Sequence, residues 1–253
     1  MIRFLKDCPA LFISDIKTLV ISDLHIGLEH DLYTRGIIIP AQAEKFSKII
    51  EKLIKQTGAN RLVILGDVKY EVPGMSFREL KEIPKILENL KKKVKVIITK
   101  GNHDTYLEQI LPKGVKLHSS RGFRIKKYGF FHGHAWPSKK LMQCDYLFMG
   151  HIQPAIEFRD KLGYRSVHQV WVVSQLNSEV IKKKHRIKKT GKLNLTIVPS
   201  FNELSGYLVL NKELKENLTG PLFSSKAVDI EKSKIYFIDG TYLGKLENLK
   251  MNL

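Results

Sequence analysis

The sequence predicts an α/β fold built on two mixed sheets. Three observations predict it. The first half alternates apolar strand-like runs with amphipathic helical ones, as a largely parallel sheet requires. After Val115 short strand-like runs crowd together without long helices between them, which reads as a second sheet containing hairpins. Across the 253 residues, 43% are apolar, enough for a packed core and too many for a disordered chain.

The elements follow in order. "TLVIS" (Thr18–Ser22) is a buried strand. From Pro40 to Gln56, Phe46, Ile49, Ile50, Leu53 and Ile54 share one helical face, and Gly58 is the stop signal. "RLVIL" (Arg61–Leu65) is the second strand. A further helix runs from Phe77 to about Leu90, with Pro84 inside it as a site for a kink. Val94–Thr99 is the third strand. The second sheet draws on "GFRIKKYGFF", "DYLFMG", "PAIEF", "SVHQVWVVS", "LNLTIVPSF" and "KIYFID". Nothing between the halves resembles a flexible linker, so a single domain over 1–253 is expected, with a basic excursion at about 176–192.

Charge and cysteine usage narrow the function. Lys plus Arg number 43 against 25 Asp plus Glu, for a net +18, which points to an anionic partner with nucleic acid first in line. Lysines make up 34 of those 43, and lysine is the less specific phosphate partner. Seven of the basic residues lie between Val180 and Lys192 without an acid, either a solvated surface or a nucleic-acid contact. Cys8 and Cys144 are far apart and offer no disulfide framework, which fits a reducing cytoplasm. No apolar stretch approaches membrane-spanning length, and Asp7 and Asp15 make the N-terminus a poor signal peptide. A cytoplasmic protein without a membrane partner is expected.

Chemistry gathers where the apolar runs stop. "TLVIS" ends in Asp23-Leu24-His25 and "RLVILG" in Asp67. "VKVIITKG" ends in Asn102-His103, "YGFF" in His132-Gly133-His134, and "DYLFMG" in His151. A capping aspartate or a core histidine explains any one of these; five at equivalent strand ends need a shared site, where α/β sheets place theirs. Carboxylates, imidazoles and an amide oxygen without thiolate suit a hard-to-borderline divalent ion. The ligands are too many for one tetrahedral site and suit two ions bridged by a carboxylate, a pair that binds phosphate oxygens and assists in-line displacement at phosphorus.

The order Asp-x-His, Gly-Asp, Gly-Asn-His-Asp, His-Gly, Gly-His resembles the calcineurin-like metallophosphoesterase superfamily. Here it reads Asp23/His25, Gly66-Asp67, Gly101-Asn102-His103-Asp104, His132-Gly133 and Gly150-His151. Within the superfamily, "GLEHDLYTRGIIIPAQ", "GHIQPAIEF" and "VPSFNELSG" resemble the archaeal SbcD-related branch. The resemblance implies the metallophosphoesterase fold, a four-layer α/β/β/α sandwich of two mixed sheets. It implies two divalent ions, Mn²⁺ first, with Fe²⁺, Zn²⁺ or Mg²⁺ as alternatives. Asp23 and His25 would hold the first ion, Asp67 would bridge, and Asn102, His132 and His151 would hold the second. His103 would be the general acid and Asp104 would orient it.

The superfamily usually closes its last motif as Gly-His-x-His, with the second histidine on the first ion. This chain has "GHIQP", with Gln153 in that place. His134 either contacts phosphate or supports the site from behind. Lys69 either neutralises a phosphate oxygen or is an idle exposed lysine. The function expected is hydrolysis of phosphodiester bonds, in nucleic acid or at its ends, by attack of a metal-bound hydroxide. The alternatives are a phosphomonoesterase or small-nucleotide phosphodiesterase, and a non-enzymatic nucleic-acid-binding or complex-assembly protein with a weakened metal centre. DNA-repair proteins are the partners that the resemblance implies.

Overall fold

The computed structural model describes residues 1–212 and 218–250. Its first sheet has six strands in chain order: β1 (Ile2–Phe4), β2 (Leu11–Ile13), β3 (Thr18–Ile21), β4 (Arg61–Ile64), β5 (Lys95–Thr99) and β6 (Lys116–His118). The first three pair antiparallel and the last four parallel, so the sheet is mixed. Side chains alternate across its strands. Leu19, Ile21, Leu62 and Ile64 face one way, onto the helices; Val20 and Val63 face the other.

Helices α1 (Leu28–Thr34), α2 (Gln42–Thr57) and α3 (Phe77–Lys91) follow β3 and β4 in the chain. Phe46, Ile50, Leu53, Ile83, Ile86, Leu87 and Leu90, from the latter two, pack into the core on the helical face of the first sheet. α2 stops at Gly58, whose φ of +63° ends the helix as the sequence anticipates. α3 continues through Pro84 to Lys91, and its start is a capping box between Ser76 and Glu79.

The second sheet runs β7 (Phe123–Ile125), β8 (Tyr128–Phe131), β9 (Tyr146–Met149), β10 (Pro154–Arg159), β11 (Arg165–Gln175), β12 (Asn194–Ile197) and β13 (Leu208–Val209). Its spatial order is β13-β10-β11-β12-β9-β8-β7, again with parallel and antiparallel pairs. Where β10 leaves the edge of β11 at Gln169, β14 (Lys234–Phe237) takes it over from Val170, and β15 (Tyr242–Lys245) pairs with β14.

Between the sheets lies a layer that is largely aromatic on the side of the second sheet and aliphatic on that of the first. Phe123, Tyr128, Phe130, Phe148 and Trp171 from the second sheet meet Leu11, Ile13, Val20, Val63 and Ile97 from the first. Each such burial contributes roughly 1.5–3 kcal/mol. The outer face of the second sheet is covered by Ile181 of α4 (Ser178–His185), Leu222 of α5 (Pro221–Ser224), and Leu141 and Met142 of a 3₁₀ turn. The layers are therefore helix, sheet, sheet, helix. The basic run is helical in its first part, where Lys182–His185 lie on α4, which Asn177 caps through the backbone N–H of Glu179 and Val180, and irregular from Arg186 to Lys192. Cys8 and Cys144 are both free and buried. Among the described residues no helix is long and apolar enough to cross a membrane.

Candidate metal centre

β3, β4 and β5 of one sheet run parallel to one another, as do β8 and β9 of the other, and their carboxyl ends converge. His132, just after β8, places Nδ1 2.6 Å from Leu65 O just after β4. The His151 backbone N–H, just after β9, donates to the Asp23 carboxylate after β3, at 3.2 and 3.3 Å. These two links tie the strand ends of the two sheets together at the site.

The backbone turns sharply to do this. Asp23, His25, Asp67, His151 and Gln153 all have positive φ, between +43° and +71°. That region costs a non-glycine residue about 1–3 kcal/mol, and it recurs at functional sites. Two glycines are needed for close approach instead. A Cβ on Gly101 would overlap Asp67 Oδ1, and one on Gly150 would overlap Ser22 Oγ.

Asp67 is central. Its Oδ2 is 3.3 Å from His132 Nε2 and 3.8 Å from His25 Nε2, while Oδ1 accepts the His103 backbone N–H at 2.9 Å. Two triads of donor atoms form, His25–Asp67–His103 and Asp67–His132–His151, each with its atoms within 4.8 Å of one another. Asp67 is common to both. Asn102 Oδ1 is 3.1 Å from His132 Nε2, so the amide joins the second triad. Asp23 belongs to neither: its carboxylate is buried and accepts from Ser22 Oγ as well as the His151 N–H.

The donor set fits divalent cations. His132 donates Nδ1–H to a carbonyl and turns Nε2 toward Asp67, the orientation in which imidazole ligates a metal. Burial pushes the His25 and His151 imidazoles down to about 4, toward the neutral form that ligation requires. At His132 burial is outweighed by the Asp67 and Asp23 carboxylates, which raise it to about 9, a proton that a bound cation has to displace. Burial would raise the Asp67 carboxyl, but His132 and then His25 and His103 outweigh it and hold it well below the usual carboxylate range. Asp23 is pushed by burial up to about 7.

Gln153 is also at the site. Its amide is satisfied with the nitrogen donating to Ser205 Oγ at 2.8 Å and Gly206 O at 2.9 Å, and the oxygen 2.9 Å from His25 Nε2. His134 lies one ring away, its centroid 5.3 Å from that of His132 and 6.0 Å from that of His151.

Two residues sit differently from the sequence expectation. Asp104 does not reach the His103 ring. Its carboxylate is wholly buried and accepts the backbone N–H groups of Val68, Lys69 and Gly101. The His103 ring rests on the carbonyl of Tyr70, 2.6 Å from Nδ1. Lys69 is fully buried, neither idle on the surface nor open to a phosphate. Its ammonium folds back onto the carbonyls of Glu71 and Gly74, at 2.7 Å for the latter.

Several supporting residues lie outside the strand-end pattern. Ser200 Oγ donates to Asp23 O at 2.9 Å and Asn202 Nδ2 to Leu24 O at 2.9 Å, bracing the first loop from the far end of the chain. Both fall in "VPSFNELSG". Thr219 Oγ1 is 3.1 Å from His151 Nε2. Glu79, fully buried, holds the loop that carries Tyr70; the S-x-x-E spacing of its capping box is the one signal that marks it.

A family model described as calcineurin-like phosphoesterase matches residues 16–174, well over half of the chain. Among solved structures the chain is similar to the Pseudomonas putida nuclease MPE, at 15% identity over 93% of this chain and 92% of that one, with a TM-score of 0.56. That likeness is one of fold. It is also similar to Yfce, a phosphoesterase from E. coli, at 23% identity over 56% of this chain and 73% of that one, with a TM-score of 0.37. No match is found among curated proteins.

Proposed function

The chain belongs to the calcineurin-like phosphoesterase family, and we propose that it hydrolyses phosphodiester bonds of nucleic acid or at nucleic-acid ends. The observation that carries the reaction type is Asp67 shared between two donor triads. In this reading Asp67 would serve both of two divalent ions, with His25, Gln153 and Asp23 as the residues that would hold one and Asn102, His132 and His151 those that would hold the other. Two ions bound there supply Lewis acidity toward the phosphoryl oxygens and the attacking water.

The residues of the chain do the rest. His103 donates a proton to the leaving oxygen; the Tyr70 carbonyl accepts its Nδ1–H and so keeps Nε2 for the transfer. Asp104 ties the loop after β4 to the loop after β5 and keeps His103 level with Asp67. His134, half-buried beside His132 and His151, contacts a phosphate oxygen. The net charge of +18 supports a polyanionic substrate, and the fold it shares with a nuclease agrees with that. Mn²⁺ is the ion that best suits a site mixing carboxylate, amide and imidazole.

The test is metal-loaded protein assayed on end-labelled DNA and RNA beside cyclic nucleotides, linear nucleotides and phosphomonoesters. Cleavage of the oligonucleotides is expected. Turnover of phosphomonoesters or small nucleotides alone would replace this reading with the narrower one. Absence of turnover on every substrate would leave a binding protein.

A further inference from the structure

Helix α4 brings its basic end beside a segment that leaves the metal centre. His132 and His134 belong to the site, and two residues on, Trp136 lies under α4. Lys184 Nζ is 5.0 Å from the centre of the Trp136 ring, and the His185 ring meets the indole edge-on at 5.7 Å. Two further cations come from elsewhere in the chain. The Ser138 N–H donates to Arg121 O at 2.8 Å, which draws Arg121 beside the turn carrying Lys139. The Gly191 N–H donates to Met142 O at 2.9 Å and ties the segment after α4 to the same turn. Burial, then the charges of Lys184, Arg121 and Lys139, push His185 down, in keeping with that placement.

Arg121, Lys139 and Lys184 are exposed, and none of them is in an ion pair among the described residues. Lys182, by contrast, is paired with Glu179 at 2.9 Å. The negative end of the α4 dipole accounts for lysines in its last turn. It does not account for Arg121 and Lys139, which come from other elements. Unpaired cations, an arginine among them, grouped around an aromatic ring beside the site have the composition of a nucleic-acid contact.

We propose that Arg121, Lys139 and Lys184, gathered around Trp136 and His185, form a docking surface for the sugar-phosphate backbone of a nucleic-acid strand that leads into the metal centre. The proposal rests on the phosphodiesterase reading of that centre, but its test does not require turnover. Binding of labelled single-stranded DNA is measured in EDTA across a salt series. With Arg121, Lys139 and Lys184 all changed to Gln, log K against log[salt] should flatten by about 2, three phosphate contacts at roughly 0.7 each. Changing Lys45, Lys52 and Lys55 on α2 to Gln removes the same charge from the other sheet's helical layer and should leave the slope as in wild type. The chain has two tryptophans, and Trp171 is fully buried. Quenching of tryptophan fluorescence by DNA should therefore vanish in Trp136→Phe.

Equal flattening in both triple variants would overturn the surface in favour of bulk charge, and an unchanged slope in the first would overturn it outright. A wild-type protein that hydrolyses small diesters but binds no oligonucleotide would sink the surface and leave the metal centre with the narrower, small-diester activity. One that binds with the expected slope but hydrolyses nothing would keep the surface and sink the catalytic reading. Circular dichroism confirms that each variant is folded.

Discussion

His103 Nδ1 lies 2.6 Å from the carbonyl oxygen of Tyr70. A carbonyl only accepts, so this contact fixes a proton on Nδ1 and directs the exchangeable one to Nε2. The Tyr70 ring also lies nearly parallel to the His103 ring, at 25° and 5.9 Å between centroids. Position and tautomer are thus set by a loop backbone, while Asp104 is occupied with the N–H groups of Val68, Lys69 and Gly101.

As general acid, His103 should matter to rate more than to metal content. His103→Ala is expected to lose ~10²–10⁴-fold in kcat on poor leaving groups. The loss should shrink on substrates whose leaving group needs no proton. His103 also lies in the His25–Asp67–His103 triad, so metal content is the discriminating control. Loss of an ion together with an equal rate loss on both substrates would make His103 a ligand and not an acid.

Glu79 stands beneath that acid. Its Oε1 accepts the N–H groups of Tyr70 and Glu71 at 2.8 Å each, and Oε2 accepts Ser76 N–H at 2.6 Å and Ser76 Oγ at 2.9 Å. Glu79→Gln turns an amide N–H₂ toward groups that are themselves donors. A destabilisation of about 1–3 kcal/mol is expected from the unmet donors. Because Tyr70 carries the His103 anchor, kcat should also fall more for poor leaving groups than for good ones. Thermal unfolding together with the two-substrate ratio checks this. An unchanged ratio with lowered stability would leave Glu79 a structural post only.

The sequence made these elements unequally legible. α2 and α3 show because several apolar residues recur on one face over four turns, and their ends fall within two residues of expectation. β1 and β2 do not show, since three-residue strands carry no periodicity. α1 does not either: it starts at Gly27 with positive φ and has no side-chain cap. α4 buries only Ile181, so its lysines hide the helix. At the site, the residues at strand ends were visible because side-chain chemistry marked them. The Tyr70 anchor was not, because every residue has a carbonyl. Nor could spacing reveal that Lys69 folds back onto its own loop, or that Asn202 bonds Leu24, 178 residues away.

Asp67→Asn keeps the size and one accepting oxygen for the His103 N–H but removes the charge between His132 and His25. Since both triads depend on that carboxylate, both ions should bind more weakly and turnover should be abolished. Metal analysis after gel filtration in sub-stoichiometric metal provides the check. Two ions retained per chain with wild-type turnover would remove the bridging role.

Gln153 decides how the first ion is held. Its amide nitrogen is anchored on Ser205 and Gly206, which leaves the oxygen 2.9 Å from His25 Nε2, where a ligand beside His25 has to be. A neutral amide oxygen is a weaker ligand than imidazole for Zn²⁺ or Co²⁺ and acceptable to Mn²⁺ or Mg²⁺. Asp23 meanwhile is drawn to Ser22 and the His151 N–H, which lowers its availability. The first ion should therefore be the looser one, filling last in a calorimetric titration and making activity depend on added Mn²⁺. Gln153→His should tighten that site toward Zn²⁺ and leave the second unchanged. Gln153→Ala should weaken it roughly 10–100-fold, the scale on which removing an orienting or ligating group acts. Unchanged affinity and stoichiometry in Gln153→Ala would show that water, and not the amide, completes the shell.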